Sequence, residues 1–239
     1  MRRSDTVTAR ADRLRIGPWR GDPRIALVSP VPGLPPSSVG LARAIVDATG
    51  MGYRTILTPA LGEAEQGVFL EQGFTVLERL HLLGHDLRDR PAATVDGARM
   101  RRGRPHDLDA VLALDGLAFD QFWRFDDVGL EDARRATPRS RFRVATVGDR
   151  VVGYHVTGIS GRLGYLQRLA VHPDAQGRGI GTALVGDALV WSARRRCASV
   201  LVNTQESNTG ALRLYHRLGF VDEPTGLAVL ELRLDADER

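Results

Sequence analysis

The stretch VHPDAQGRGIGTALV, residues 171–185, decides how this chain reads. Three glycines, Gly177, Gly179 and Gly181, alternate between an apolar run, GYLQRLAV at 164–171, and a segment with Ile180, Leu184, Ala188 and Trp191 at helical spacing. Glycine loses more conformational freedom on folding than any other residue, so a cluster of it at a strand-to-helix turn needs a reason. An anion supplies one. The first amides of a helix have no intrahelical acceptor, the helix dipole favours negative charge there, and bare backbone lets a phosphate approach with no Cβ in the way. The turn reads as a pyrophosphate cradle, with Arg178 adding a charged contact.

The cradle does not fit a dinucleotide. Counting from Gly177, the third glycine of G-x-G-x-x-G is replaced by Thr182, and the acidic residue required at the end of the next strand is replaced by Asn203 and Thr204. The chain also holds no lysine, which excludes a Walker-type phosphate loop, a Schiff-base lysine and a kinase-type lysine. Its basic residues are all arginines at a net charge of +4, interleaved with acids as in Arg88-Asp89-Arg90, the pattern of a mixed-charge surface. Nucleic acid is therefore not an expected partner. Cys197 stands alone, which excludes a disulfide framework and a Cys-rich metal site, and no metal is expected. No apolar run approaches the roughly 18 residues that span a bilayer, and Met1 to Arg15 is polar and Arg-rich. The expectation is a cytoplasmic protein without a membrane partner.

Working outward, ASVLVNT at 198–204 reads as a strand, Asn208 to Leu218 as a helix stopped by Gly219, and GLAVLELRL as a final strand. Upstream, RFRVATVGDRVVGYHVTGIS is a hairpin turning at Gly148-Asp149, Pro105 to Phe119 is a helix, and 119–137 is helical in part. ARMRRG reads as a short strand. The first half runs strand (24–30), helix (39–49), strand (53–59), helix (63–72), strand (74–87). The chain accordingly divides into a loose arm at 1–23, a first domain at 24–90, a linker at 91–97 and a second domain at 98–239. FLEQGF at 69–74 and YHRLGF at 215–220 both end a helix with Gly-Phe, so the first domain reads as a partial internal copy of the second.

LAVHPDAQGRGIGTAL resembles the Q/R-x-x-G-x-G/A signature of the GNAT superfamily of N-acetyltransferases, and NTGALRLYHRLGF at 208–220 resembles the family's second signature. The resemblance covers roughly 98–234. It implies an α/β fold with a mixed, mostly antiparallel central sheet flanked by helices, preceded here by a degenerate half-domain. It implies acetyl transfer from acetyl-CoA to a primary amine, small molecule or protein N-terminus, by direct attack in a ternary complex. It also implies roles: the backbone of Leu169, Ala170 and Val171 pairs with the pantetheine arm, Gln176, Gly177, Arg178, Gly179, Ile180, Gly181 and Thr182 hold the pyrophosphate, Asn208 meets the cofactor, and Tyr215 is the general acid.

The sequence departs from the pattern at the base. Where many relatives carry a carboxylate, it has Gln167 and Asn203. Glu206, His155, His172 and a water relay remain open, and a non-catalytic acyl-CoA sensor or scaffold is the alternative reading. In FDQFWRFDD (119–127), Asp126 or Asp127 would attract a cationic amine, or the segment is helix packing with solvated acids. The first domain has Phe69 where Tyr215 stands and PGLPPSSVG in place of the glycine turn, so it should neither bind CoA nor catalyse.

Overall fold

The computed structural model describes residues 7–9, 14–31 and 36–234. Along the chain run β1 (Val7–Ala9), β2 (Leu14–Trp19), β3 (Asp22–Pro30), α1 (Ser38–Gly50), β4 (Thr55–Leu57), β5 (Leu61–Gly62), α2 (Glu63–Glu71) and β6 (Thr75–His85). They are followed by β7 (Arg99–Arg102), α3 (Leu108–Ala118), α4 (Asp127–Arg135), β8 (Arg139–Val147), β9 (Arg150–Ser160), β10 (Leu163–Val171) and α5 (Ile180–Arg194). The chain ends in β11 (Ser199–Gln205), α6 (Thr209–Arg217), β12 (Val221–Asp222) and β13 (Leu227–Arg233). Two compact units form: Met1–His81 with Pro224–Arg239, and Leu82–Glu223.

In the first unit the strand order is β1-β2-β3-β4-β13-β6. β3 and β4 run parallel, and β13 lies antiparallel to both β4 and β6. Leu14, Ile16, Val28, Leu41, Ala44, Phe69 and Leu230 form one buried cluster, with Phe69 set edge-on to Phe74 at 5.2 Å. The Phe69 ring is thus core.

In the second unit β11-β10-β9-β8-β7 lie side by side, antiparallel except for β10 with β11. β9 is buried along nearly its whole length because helices cover both faces. On one face α5 and α6 pack Val185, Leu189 and Tyr215 against Leu166, Val200 and Val202. On the other, α3 and α4 pack Val111, Leu114 and Leu130 against Val144, Tyr154 and Val156. This is a mixed, mostly antiparallel sheet flanked by helices.

Two boundaries differ from the sequence reading. Leu14–Trp19 is strand rather than part of a loose arm: Leu14 and Ile16 alternate with polar neighbours into the core, and Arg20 and Gly21, both at positive φ, turn the chain onto β3. Apart from Val7–Ala9, the rest of the expected arm before Leu14 lies outside the described residues. The units also do not follow the 24–90, 91–97 and 98–239 division. The chain's last strand completes the first unit, and the end of β6, Leu82–His85, belongs to the second. The stretch read as a linker packs on α5, where a Cβ on Gly186 would stand 2.6 Å from the Ala92 carbonyl oxygen.

Candidate functional site

β10 and β11 pair in parallel at Leu163–Ser199, Gly164–Val200 and Tyr165–Leu201, and then part. β10 continues on β9 alone, through a bulge at Gln167, so Leu169, Ala170 and Val171 bond on one side to His155, Tyr154 and Gly153 and leave their other edge without β11. Ligands in α/β sheets bind beyond the carboxyl ends of parallel strands, and the pairing of β10 with β11 ends toward that side. An extended, amide-bearing chain fits such an edge as an added strand would.

The glycine turn stands at the end of the same strand. His172 opens a short turn, Pro173–Ala175, and Gly177 and Gly179 follow at φ +74° and +80°, conformations that only glycine adopts without strain. Gly181 has a different reason: a Cβ there would lie 3.2 Å from Leu214 Cδ2, so its bareness lets α5 and α6 approach. Gln176, Gly177, Arg178 and Gly179 are exposed, Thr182 is half-buried, and Ile180 anchors the helix in a cluster with Val152, Ala175 and Leu184. Gly179, the N-cap, has no side chain to bond the first amides of α5, and its first turn carries no acid. These amides fit a phosphate. The Gln176 side chain donates to the Val171 carbonyl at 3.2 Å, bracing the turn.

Asn208 caps α6, its Oδ1 accepting from the Ala211 amide at 3.1 Å. It also lines a cavity of about 430 Å³ with Gly116, Phe119, Asp120, Gln121, Arg124, Gln205 and Ser207. Tyr215, one helix face along, is 4% exposed and packs on Phe220 at 5.4 Å. Burial pushes its phenol up, so the hydroxyl stays protonated at neutral pH. Among the described residues nothing hydrogen-bonds that hydroxyl.

The structure separates the candidates for the base. His155 is fully buried between β9 and α5, with Nδ1 on Thr157 Oγ1 at 2.8 Å and Nε2 on Asp187 at 3.1 Å. Burial pushes its basicity down, and Asp187 already takes two hydrogen bonds from Arg141 at 2.7 and 2.9 Å. Burial alone would raise the Asp187 carboxyl, yet the bonds from Arg141 and His155 hold it well below the usual range. His155 is a neutral core residue. His172 Nδ1 accepts the Asp174 amide at 3.2 Å, and the Arg150 guanidinium lies 2.7 Å from Nε2. Glu206 is exposed and sits between two cavity-lining residues, Gln205 and Ser207. Gln167, at the bulge, holds a buried Oε1 with no hydrogen-bond partner among the described residues. Asn203 is exposed.

The aromatic and acidic segment is mostly not helix, and Asp126 is committed to capping α4 through the Gly129 amide at 2.7 Å. The carboxylate in the cavity is Asp120 instead. What the sequence reading missed is Asp115 on α3. It is wholly buried and accepts from Arg168 Nε and Nη2 at 2.8 and 2.7 Å, from the Phe125 amide at 2.7 Å and from the Tyr154 hydroxyl. The Arg168 guanidinium lies between the Phe119 and Phe125 rings and also donates to the Trp123 carbonyl at 2.8 Å. The only sequence signal was a carboxylate beside Leu114 on the apolar face of a helix.

The parted parallel pair, the left-handed glycine turn and the uncapped helix start together suit an extended, amide-bearing chain that ends in a phosphate. Residues 108–220, a little under half of the chain, match the Acetyltransferase (GNAT) family. Two curated relatives are named mycothiol acetyltransferase. The one from Salinispora tropica is 36% identical over 141 residues, 52% of this chain and 45% of that one. The one from Thermobispora bispora is 32% identical over 138 residues, 52% of this chain and 47% of that one. The matched segment spans under half the length of these relatives. Among solved structures, a tandem GNAT protein from the clavulanic acid biosynthesis pathway superposes with a TM-score of 0.70 at 16% identity, covering 95% of this chain and 80% of that one. No described helix is long and apolar enough to cross a membrane.

Proposed function

We propose that the chain is an acetyl-CoA-dependent N-acetyltransferase whose acceptor is a small polar amine. The observation that carries this is the parting of β10 from β11 directly before the uncapped start of α5. An extended pantetheine arm and a pyrophosphate need those two surfaces in that order. The names of the relatives, acetyltransferases acting in mycothiol chemistry, agree with it.

In this reading Leu169, Ala170 and Val171 bond the pantetheine amides through their free backbone edge, and Gln176 to Thr182 hold the pyrophosphate through main-chain N–H groups. Asn208 borders the cofactor from α6. Acetyl-CoA supplies the activated acyl group. Transfer forms a C–N bond to the amine and breaks the C–S bond, so one proton leaves nitrogen and one reaches sulfur. Tyr215 donates the second proton. Gln167 Oε1, buried and unpaired, is an acceptor for an amine N–H but takes no proton at neutral pH, so the first proton leaves to water or Glu206. The polar cavity at 116–124 and 205–208 seats the acceptor, with Asp120 attracting an ammonium group. No nucleic acid or membrane enters this account. The first unit, with Phe69 buried in its core, is a degenerate copy without catalysis.

Thiol release from acetyl-CoA across a panel of amino acids, amino sugars, polyamines and peptide N-termini tests the reading. At least one small polar amine should give saturable release that stops on substitution of Tyr215. Cofactor binding with no release for any amine would favour the sensor reading, which the absence of a carboxylate at Gln167 and Asn203 supports.

A further inference from the structure

The strand that frames the end of α6 is supplied by the N-terminal half of the chain. β6 starts in the first unit, but Leu82–His85 belong to the second. There Leu83 and Gly84 pair with Asp222 and Val221 of β12, and the Leu82 carbonyl accepts the Glu223 amide at 2.8 Å. Leu83 is wholly buried in the cluster that contains Tyr215. His85, 2% exposed, reaches the helix itself.

The bonds of His85 fix its state. Nε2 lies 3.1 Å from the Leu218 carbonyl, which can only accept, so Nε2 carries the proton. Nδ1 accepts the Leu87 amide at 2.9 Å and is therefore bare. The ring donates to the carbonyl of Leu218, the C-cap of α6. Leu218 N–H in turn bonds the Tyr215 carbonyl at 3.0 Å, and Phe220 N–H bonds it at 3.1 Å. Gly219 stands between them at φ +87°, where a Cβ would lie 3.5 Å from His85 Nε2. The Phe220 ring bridges the two aromatic groups, 5.0 Å from His85 and 5.4 Å from Tyr215. His85 thus holds both the main chain and the ring against which Tyr215 rests.

We infer that His85 is a positioning residue for Tyr215, and that this contact is what a non-catalytic N-terminal half contributes to the reaction. The inference rests on the acetyltransferase reading. Nothing among the described residues hydrogen-bonds the Tyr215 hydroxyl, so its aim depends on the helix end and on Phe220, the two features His85 fixes. A buried histidine satisfied at both nitrogens and serving only stability is the competing account.

Binding of CoA and of desulfo-CoA to the full chain, by calorimetry, separates them without an acceptor. Desulfo-CoA reports the pantetheine and pyrophosphate sites, and the ratio of the two affinities reports the tyrosine-to-sulfur contact. Wild type should prefer CoA several-fold, and Tyr215→Phe should abolish the preference while leaving desulfo-CoA affinity unchanged. His85→Leu, which keeps bulk and loses the donor, should lose most of the preference, and His85→Gln, which keeps a donor for Leu218, should retain it. An unchanged ratio in His85→Leu, or equal weakening of both ligands, overturns the inference alone. An unchanged ratio in Tyr215→Phe, or no CoA binding by wild type, overturns the reading beneath it.

Discussion

Arg168 on β10 and Asp115 on α3 form a two-pronged ion pair, at 2.8 and 2.7 Å, with the carboxylate wholly buried and the guanidinium side chain 10% exposed. The pair ties the strand proposed to hold the pantetheine to the segment Phe119–Phe125, which walls the cavity. Burying two charges is costly, and removing one of them leaves the other uncompensated. Arg168→Met should therefore destabilise the fold by about 3–5 kcal/mol, and adding Asp115→Leu should recover much of that. Denaturant titration of the two variants checks it, since independent contributions would instead add.

The glycines of the turn should behave differently from one another. Gly177→Ala and Gly179→Ala force an L-residue to φ +74° and +80°, each at about 1–2 kcal/mol, and should weaken acetyl-CoA binding. Gly181→Ala crowds the flexible end of Leu214, with Val171 at ordinary contact distance, and should cost less in both respects. Paired thermal melts and binding titrations read the difference.

Tyr215→Phe removes a hydroxyl with no hydrogen-bond partner among the described residues, so the melting temperature should hold while turnover falls by about 10²-fold or more. Steady-state kinetics with the best acceptor decides; undiminished turnover removes the assigned role.

His155 predicts a pH dependence of stability. Burial lowers its folded-state basicity, so below about pH 6.5 the unfolded chain binds a proton that the folded chain refuses. Stability should fall as pH falls from there toward the folded-state value, with a slope of up to about 1.4 kcal/mol per pH unit. His155→Gln should flatten that part of the profile in chemical denaturation from pH 7.5 to 5.

Ending the chain after Glu223 removes β13 from between β4 and β6. It strips Ala228 and Leu230 from the first unit's core and leaves β4, β5 and β6 each without a strand partner on one edge. Limited proteolysis should then cut first within residues 14–81; protection equal to that of the full chain would contradict the observed pairing.

The parts of this molecule legible in the sequence are those whose constraint is local. Gly177 and Gly179 announced a turn before a helix, and Leu-Gly-Phe at 218–220 announced a helix end, because each depends on a few adjacent residues. The exchange of β6 and β13 between units was not legible: both are apolar strands, and periodicity fixes a strand's face but not its partner. Asp115 and Arg168 are 53 residues apart, and nothing in either neighbourhood names the other. His155 read as a titratable candidate because only the fold reveals that both ring nitrogens are spent in the core.

The central claim, that the cleft beside the glycine turn takes acetyl-CoA, is tested most directly by thermal unfolding with acetyl-CoA and, separately, with NAD. A hundredfold excess over the dissociation constant adds about 2.7 kcal/mol, or roughly 2–4 °C at this size. The account predicts that shift with acetyl-CoA and none with NAD. Equal melting temperatures with and without acetyl-CoA would contradict it.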